Sequence, residues 1–314
     1  MKHLFCINPA AGKHDSTKDY RRQIDESCQG LDHGIFISGA PGEITRAVAK
    51  VAASGEEFRV YACGGDGTLN EVVNGAANHP NVAVTHWPGG SGNDFIRMFD
   101  EPARFRDLPQ LLDAEEAVFD LIRVNDRWCA GVASIGIDAR IGTEIARYKR
   151  LPLVTGPGAY TISVLVNMVK GVHQHYVVEL DGEVVDGRQS LLCVCNGHWY
   201  GGGYNPVPEA LPDDGVLDVL LVRAVSRLKA AQVIGKYKQG RYADYPDIIR
   251  HYRCKNVTVT CDKPNAINLD GELLTAEKAV FSLVPGALRF FYPRGASYGR
   301  SGAAVPVGAG FRNE

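Results

Sequence analysis

No stretch of this sequence approaches the roughly 18 to 20 continuous apolar residues that a membrane-crossing helix needs. The longest candidate, Ala159 to Val169, is too short and is interrupted by Asn167. A basic excess is also missing: the formal net charge is −2, so no global field argues for nucleic acid as a partner. The eight cysteines are scattered without CxxC spacing, which argues against a zinc site. Cys6, Cys63, Cys193, Cys195 and Cys261 lie in apolar strand-like runs and read as small buried hydrophobes in a reducing compartment. No cleavage site follows the opening MKHLFCINP, which reads as a short strand entering a loop, so no secretory leader is expected. No GxGxxG follows that strand, which removes a dinucleotide-binding dehydrogenase from consideration. Internal repeats and low-complexity blocks are absent as well.

What remains is a chain of 314 residues, 45% hydrophobic and 22% charged, long enough for two ordinary domains. Strand and helix patterns alternate at first. Strands are expected at 3–7, 35–38, 59–63 and 82–87, and helices at 17–29, 42–54 and 69–77. In the second helix Ile44, Val48, Val51 and Ala52 recur at helical spacing. This rhythm predicts an open, mostly parallel α/β sheet. After about Val118 it gives way to short alternating strands at 119–124, 127–134, 176–180, 190–196, 217–222, 256–261 and 266–269, with helices near 161–170 and 228–238. An antiparallel, sandwich-like second domain is expected there. The predicted division is 1–118 plus 288–302 for the α/β domain, 119–287 for the β-rich domain, and a mobile Gly/Ala-rich tail over 303–314.

The chemistry concentrates in glycine-rich loops after predicted strands. Gly64-Gly65-Asp66-Gly67-Thr68 stands between a strand and a helix, where an α/β fold binds anions on free helix N–H groups. Asp66 would repel a bare phosphate, so a Mg²⁺ ion or a hydroxyl is expected between them. Thr68 is expected to cap the helix and donate to phosphate. Pro88 to Asp94 is a second such loop, with Ser91, Asn93 and Asp94 among three glycines. Two loops at the carboxyl ends of neighbouring strands form a ligand crevice. The loop Asn8 to Lys13 is a third, although it lacks Walker spacing. Each loop taken alone also reads as an ordinary glycine turn.

Taken together the strings NPAAGK at Asn8, GGDGTLNEVVNG at Gly64 and PGGSGNDF at Pro88 resemble the diacylglycerol kinase catalytic domain family, which includes sphingosine, ceramide and bacterial lipid kinases. SIGIDA at Ser134, GPGAY at Gly156, NGHWYGGGYNP at Asn196, DDGVLDV at Asp213 and NLDGE at Asn268 match too, so the resemblance runs to about Gly295. It implies two domains with a cleft between them, ATP on the GGDGT side, Mg²⁺ travelling with ATP, and a lipid acceptor such as diacylglycerol. It also implies a last strand, Leu288 to Tyr292, that returns to the first domain. Nucleotide contacts carried over by position are Asn8, Pro9, Ala10, Ala11, Gly12, Ser38, Gly64, Gly65, Asp66, Gly67, Thr68, Leu69, Asn70, Glu71 and Ser91, with Asn93 and Asp94 beside them. Many members have Thr where Ser91 stands; serine keeps the hydroxyl.

Glu272 of Asp270-Gly271-Glu272 matches the glutamate that faces the acceptor hydroxyl in the family, and a glutamate is ionised at neutral pH and able to take that proton. Asp270 is expected to hold metal or orient the site. Asp181-Gly182-Glu183 repeats the tripeptide and reads as a plain hairpin turn with a solvated acid. By the same resemblance, the Asp214 carboxylate with the carbonyls of Leu211 and Val216 would hold a structural Mg²⁺.

Two basic clusters, Arg140 with Arg147, Lys149 and Arg150, and Arg223 with Arg227, Lys229, Lys236, Lys238 and Arg241, suit either anionic lipid or solvent. Trp199, Tyr200 and Tyr204 read as either a lipid-facing cleft wall or packed aromatics. A cytoplasmic protein touching the inner membrane surface is expected, and a homodimer is left open. The rival readings are a GGDGT kinase with a soluble acceptor, such as an NAD kinase or phosphofructokinase-like enzyme, and a non-catalytic lipid or nucleotide sensor.

Overall fold

The computed structural model describes residues 1–136 and 174–299. The apolar stretch at 159–169, the helix expected at 161–170, the GPGAY string, the end of SIGIDA, the first basic cluster and the tail lie outside the described residues.

The strands β1 (Lys2–Ile7), β2 (His33–Ile37), β3 (Phe58–Gly64) and β4 (Val82–Pro88) run parallel in the spatial order β4-β3-β1-β2. β4 is buried at every position, as a strand covered on both faces must be. Between them lie α1 (Thr17–Ser27), α2 (Glu43–Ala52) and α3 (Asp66–Ala76). α1 buries Tyr20 and Ile24; α2 buries Ile44, Val48 and Ala52, each one turn from the next. Phe5 stacks on Tyr61 with ring centroids 4.3 Å apart, and Phe291 meets Tyr61 edge-on at 5.0 Å, inside one apolar cluster. α3 starts at Asp66 and not at Leu69, because the corner is completed by Gly64-Gly65 and the rest of the GGDGT string is already helical.

The remainder is antiparallel. It comprises β5 (Ala114–Val124), β6 (Arg127–Cys129), β7 (Val132–Gly136), β8 (Gln174–Leu180), β9 (Glu183–Cys195), β10 (Leu217–Arg223), β11 (Ile249–Cys254), β12 (Asn256–Leu269) and β13 (Glu272–Pro293). Among the described residues two helices accompany them, α4 (Leu108–Leu112) before β5 and α5 (Arg227–Tyr237) after β10. The single strand expected over 127–134 is two, broken at Ala130-Gly131. The two strands expected at 256–261 and 266–269 are one, with a register shift between Thr260 and Asn265. β11 escapes the pattern because it buries only Ile249 and Cys254, its two ends.

β13 joins the two parts. It leaves the hairpin Leu269↔Glu272 along β12, pairs Phe281 with Val124 on β5, and ends with Arg289↔Ala83 and Phe290↔Val84 parallel to β4. The register shifts between Val284 and Leu288, where Gly286 has φ +64°. Asp120, buried in β5, accepts from Gly286 N at 2.8 Å and from Gly215 N at 3.1 Å. One lone acid therefore fastens the bend of the connecting strand to the Asp213–Val216 turn.

Candidate active site

The GGDGT corner is shaped by backbone as much as by side chains. Gly65 is the extended N-cap of α3 and has no side-chain cap. Thr68 N donates to Gly65 O at 3.0 Å, whereas the Asp66 and Gly67 N–H groups ahead of it lack i−4 partners by geometry and carry the positive end of the helix dipole. Thr68 is not the cap: it lies within the first turn, 1% exposed, and its hydroxyl accepts from Asn8 Nδ2 at 3.2 Å. Asn8 Oδ1 accepts in turn from Ala10 N at 3.0 Å, and Ala11 N donates to Asn8 O at 3.1 Å, so Asn8, Pro9, Ala10 and Ala11 fold into a tight turn beside the helix end.

The second loop lies directly against the first. A Cβ on Gly90 would stand 2.5 Å from the Gly65 Cα, and one on Gly12 would stand 2.5 Å from the Gly89 carbonyl oxygen. Three backbones thus meet where side chains do not fit. Asp66 stitches the first two: its carboxylate accepts from Asn93 N at 2.8 Å and Asp94 N at 2.6 Å. The negative charge expected to need Mg²⁺ or a hydroxyl is answered by two peptide N–H groups. The Asn93 side chain closes its own loop through Gly90, donating to its carbonyl at 2.8 Å and accepting from its N–H at 3.2 Å. Ser91 stays exposed at the tip.

Asp94 reaches the other part of the molecule. It accepts from Gly202 N at 2.6 Å and lies 3.1 Å from Arg97 Nε. Burial, with the neighbouring Asp66 charge, pushes its carboxyl up to about 6. Arg97 also donates to Gly92 O at 3.0 Å and lies over the Trp199 ring at 5.9 Å. Trp199 is therefore a neighbour of the loop, whereas Tyr200 and Tyr204 are buried in the apolar cluster beneath α5.

Glu272 arrives from β13. A Cβ on Gly67 would lie 2.8 Å from Glu272 Oε1, so the carboxylate sits at the N-terminal turn of α3. Asp270 and Gly271, with φ +51° and +98°, form the two-residue turn that delivers it. Asp270 accepts from Ala130 N at 2.7 Å, Val132 N at 2.8 Å and Gly131 N at 3.1 Å. Those bonds leave it orienting the turn and do not fit a metal ligand. Burial raises its carboxyl, and the same amides offset part of the rise. Asn268 Oδ1 accepts from Gly271 N at 2.8 Å, and Asn70 Nδ2 donates to Leu269 O at 3.4 Å. Asn70 thus links α3 to the hairpin itself.

Other candidates stand further off. Leu69 packs in the core. Glu71 Oε2 accepts from Ile44 N at 3.1 Å at the start of α2. Ser38, at the end of β2, donates to Ala40 O at 3.1 Å. Asn74 was not singled out, yet it accepts from Trp128 N and donates to Trp128 O, both at 3.0 Å, holding β6 against α3. Its signal was its place four residues after Asn70, on the same helix face.

The donor set proposed for a structural Mg²⁺ does not fit. Asp214 Oδ2 takes Arg253 Nη2 at 2.6 Å, and Asp218 Oδ1 takes His251 Nε2 at 2.7 Å. A carboxylate already paired with a guanidinium is a poor ligand for a dication. Among the described residues no group of three or more His, Cys, Asp or Glu side chains is arranged for a metal.

Residues 2–124 match the diacylglycerol kinase catalytic domain, and residues 131–292 match the YegS C-terminal NAD kinase beta sandwich-like domain. A protein of Xanthomonas oryzae pv. oryzae named "Probable lipid kinase YegS-like" is 30% identical over 295 residues, covering 90% of this chain and 94% of the relative. The chain belongs to the diacylglycerol kinase/YegS family of lipid kinases. A crystal structure described as a diacylglycerol kinase from Bacillus anthracis str. Sterne shares the fold, with a TM-score of 0.67 and 21% identity over 93% of this chain and 97% of the other. The two family domains divide between residues 124 and 131, at β6. β13 lies within the second by sequence, although its last residues pair with β4 of the first.

Proposed function

We propose that the chain transfers the γ-phosphoryl group of ATP to a lipid hydroxyl, with diacylglycerol as acceptor and phosphatidic acid as product. The observation carrying this reading is the Glu272 carboxylate at the N-terminal turn of α3, beside Gly67. Phosphoryl transfer is mainly positioning and charge neutralisation, with a proton acceptor for the attacking hydroxyl. The amides of the GGDGT corner and the helix dipole would hold the ATP phosphates, with Asn8 to Gly12 and Ser91 flanking them. Glu272, exposed and close by, would take the acceptor proton as the hydroxyl oxygen attacks the γ-phosphorus and ADP leaves. Magnesium bound to ATP would supply further charge neutralisation. Asp66 and Asp270 would act by holding their loops in place.

A cytoplasmic enzyme working at the membrane surface follows from such a substrate; among the described residues no helix is long and apolar enough to cross a bilayer. The test is incubation with Mg²⁺, radiolabelled ATP and mixed micelles of diacylglycerol, monoacylglycerol, a sphingoid base or phosphatidylglycerol. Label in the organic phase on diacylglycerol supports the proposal. Label only on a soluble acceptor such as NAD moves the protein to the rival kinase class, and binding of nucleotide without transfer would favour a sensor.

A further inference from the structure

His86 lies on β4, fully buried beneath the phosphate corner, and it belongs to none of the motifs that carry the family likeness. Trp87 packs against Phe5 and Tyr20, and strand alternation turns His86 to the opposite face of the sheet. His86 Nε2 lies 2.9 Å from the Gly64 carbonyl oxygen. A carbonyl only accepts, so Nε2 carries a hydrogen, and in the neutral ring the acceptor is then Nδ1. That Nδ1 is buried without a hydrogen-bond partner. An aliphatic side chain here would avoid that cost, so what sets the histidine apart is the bond from its other nitrogen. Burial also holds the imidazole below its ordinary pKa despite the Asp66 charge, which keeps it neutral.

The Gly64 oxygen takes a second donor, Gly89 N at 2.7 Å. Both donors lie on the β4 side. A trans peptide is planar with its C=O and N–H antiparallel, so a carbonyl pinned toward β4 turns the next N–H, that of Gly65, toward β1. On that side lies the Asn8 to Gly12 turn. We propose that His86 is a positioning residue: by holding the Gly64 carbonyl it aims the Gly65 N–H at the phosphates of a bound nucleotide. This rests on the kinase reading above. Gly89 N still holds the carbonyl when His86 is replaced, so the effect is a loosened aim and a weaker grip on phosphate.

The test compares His86→Leu and His86→Gln with wild type, using calorimetric titration of Mg-ATP, steady-state kinetics and melting temperature. Expected for His86→Leu is an increase of about tenfold in the ATP Kd and KM, the scale of one weakened hydrogen bond, with kcat changed much less. His86→Gln, whose amide N–H can reach the same carbonyl, should restore most of the affinity. In wild type at neutral pH, ¹⁵N NMR should report a neutral ring protonated at Nε2. Unchanged ATP affinity in a folded His86→Leu protein overturns the role while leaving the kinase reading intact. A ring protonated at Nδ1 overturns it too. ATP binding that depends on His86 without transfer to any acceptor upholds the role and overturns the kinase reading. No ATP binding by wild type overturns both.

Discussion

Asp181-Gly182-Glu183 and Asp270-Gly271-Glu272 are the same tripeptide in the same turn. Both aspartates and both glycines have positive φ, at +45° and +97° in the first and +51° and +98° in the second. Each turn closes a two-residue hairpin, Leu180↔Glu183 and Leu269↔Glu272. Each aspartate accepts backbone N–H groups from another segment, Lys255 and Asn256 for Asp181, Ala130 to Val132 for Asp270. The surroundings differ. Asp181 is exposed at the rim of the β-rich part, whereas Asp270 is enclosed and its turn is tied to α3 through Asn70. Tripeptide and turn are therefore equal, and among the described residues only the second glutamate is brought to a helix N-terminus.

The widest separation is expected from the glutamates. Glu272→Gln should lower lipid phosphorylation by about a hundredfold or more, the scale of a lost general base, with ATP affinity nearly unchanged. Glu183→Gln should leave turnover at the wild-type level. Organic-phase label and a separate ATP titration read both. Loss of ATP binding in Glu272→Gln would move Glu272 from base to nucleotide ligand, and equal effects from the two substitutions would erase the comparison.

The aspartates come next. An amide in place of Asp270 offers one acceptor oxygen where three N–H groups converge and turns an NH₂ toward them. Hydrogen bonds to a charged group contribute about 1.5–3 kcal/mol each, so a loss of about 2 kcal/mol is expected for Asp270→Asn. A kcat reduction of about tenfold should accompany it, since a misaligned group costs rate even when present. Asp181→Asn should lower stability less and leave kcat alone. Urea denaturation paired with kinetics separates them.

Much of this was legible before any coordinates. The loops, the strand-helix rhythm and the family's ordered strings located the GGDGT corner and singled out Glu272, the glutamate that lies beside it. The roles of the acids were not legible, because acidity suggests metal and only geometry shows an amide partner. Asp214 was read as a cation ligand, Asp66 as needing a cation or a hydroxyl, and Asp270 as holding metal or orienting the site; they face peptide N–H groups or Arg253. β13 was legible only at its end, because most of its length alternates poorly and pairs with strands from both parts. Asp120 gave no signal beyond being an acid flanked by apolar Phe119 and Leu121 in β5.

The smallest effect sharpens the comparison most directly, because the two aspartates should titrate on opposite sides of the ordinary value of about 3.9. Backbone N–H groups from Lys255 and Asn256 lower Asp181, while burial raises Asp270. A lowered carboxyl contributes stability that is present above the unfolded pKa and is lost as pH falls through the folded one. A raised carboxyl does the reverse: its contribution is most favourable below the unfolded pKa and is lost as pH rises through the folded one. Measured against the corresponding Asn variants, wild-type stability should therefore fall toward acid at position 181 and rise toward acid at position 270. Carboxyl ¹³C titrations, with urea unfolding across the acid range, would read both slopes. Slopes of the same sign would mean that the two turns share an environment, and the enclosure that sets Asp270 apart from Asp181 would lose its physical basis.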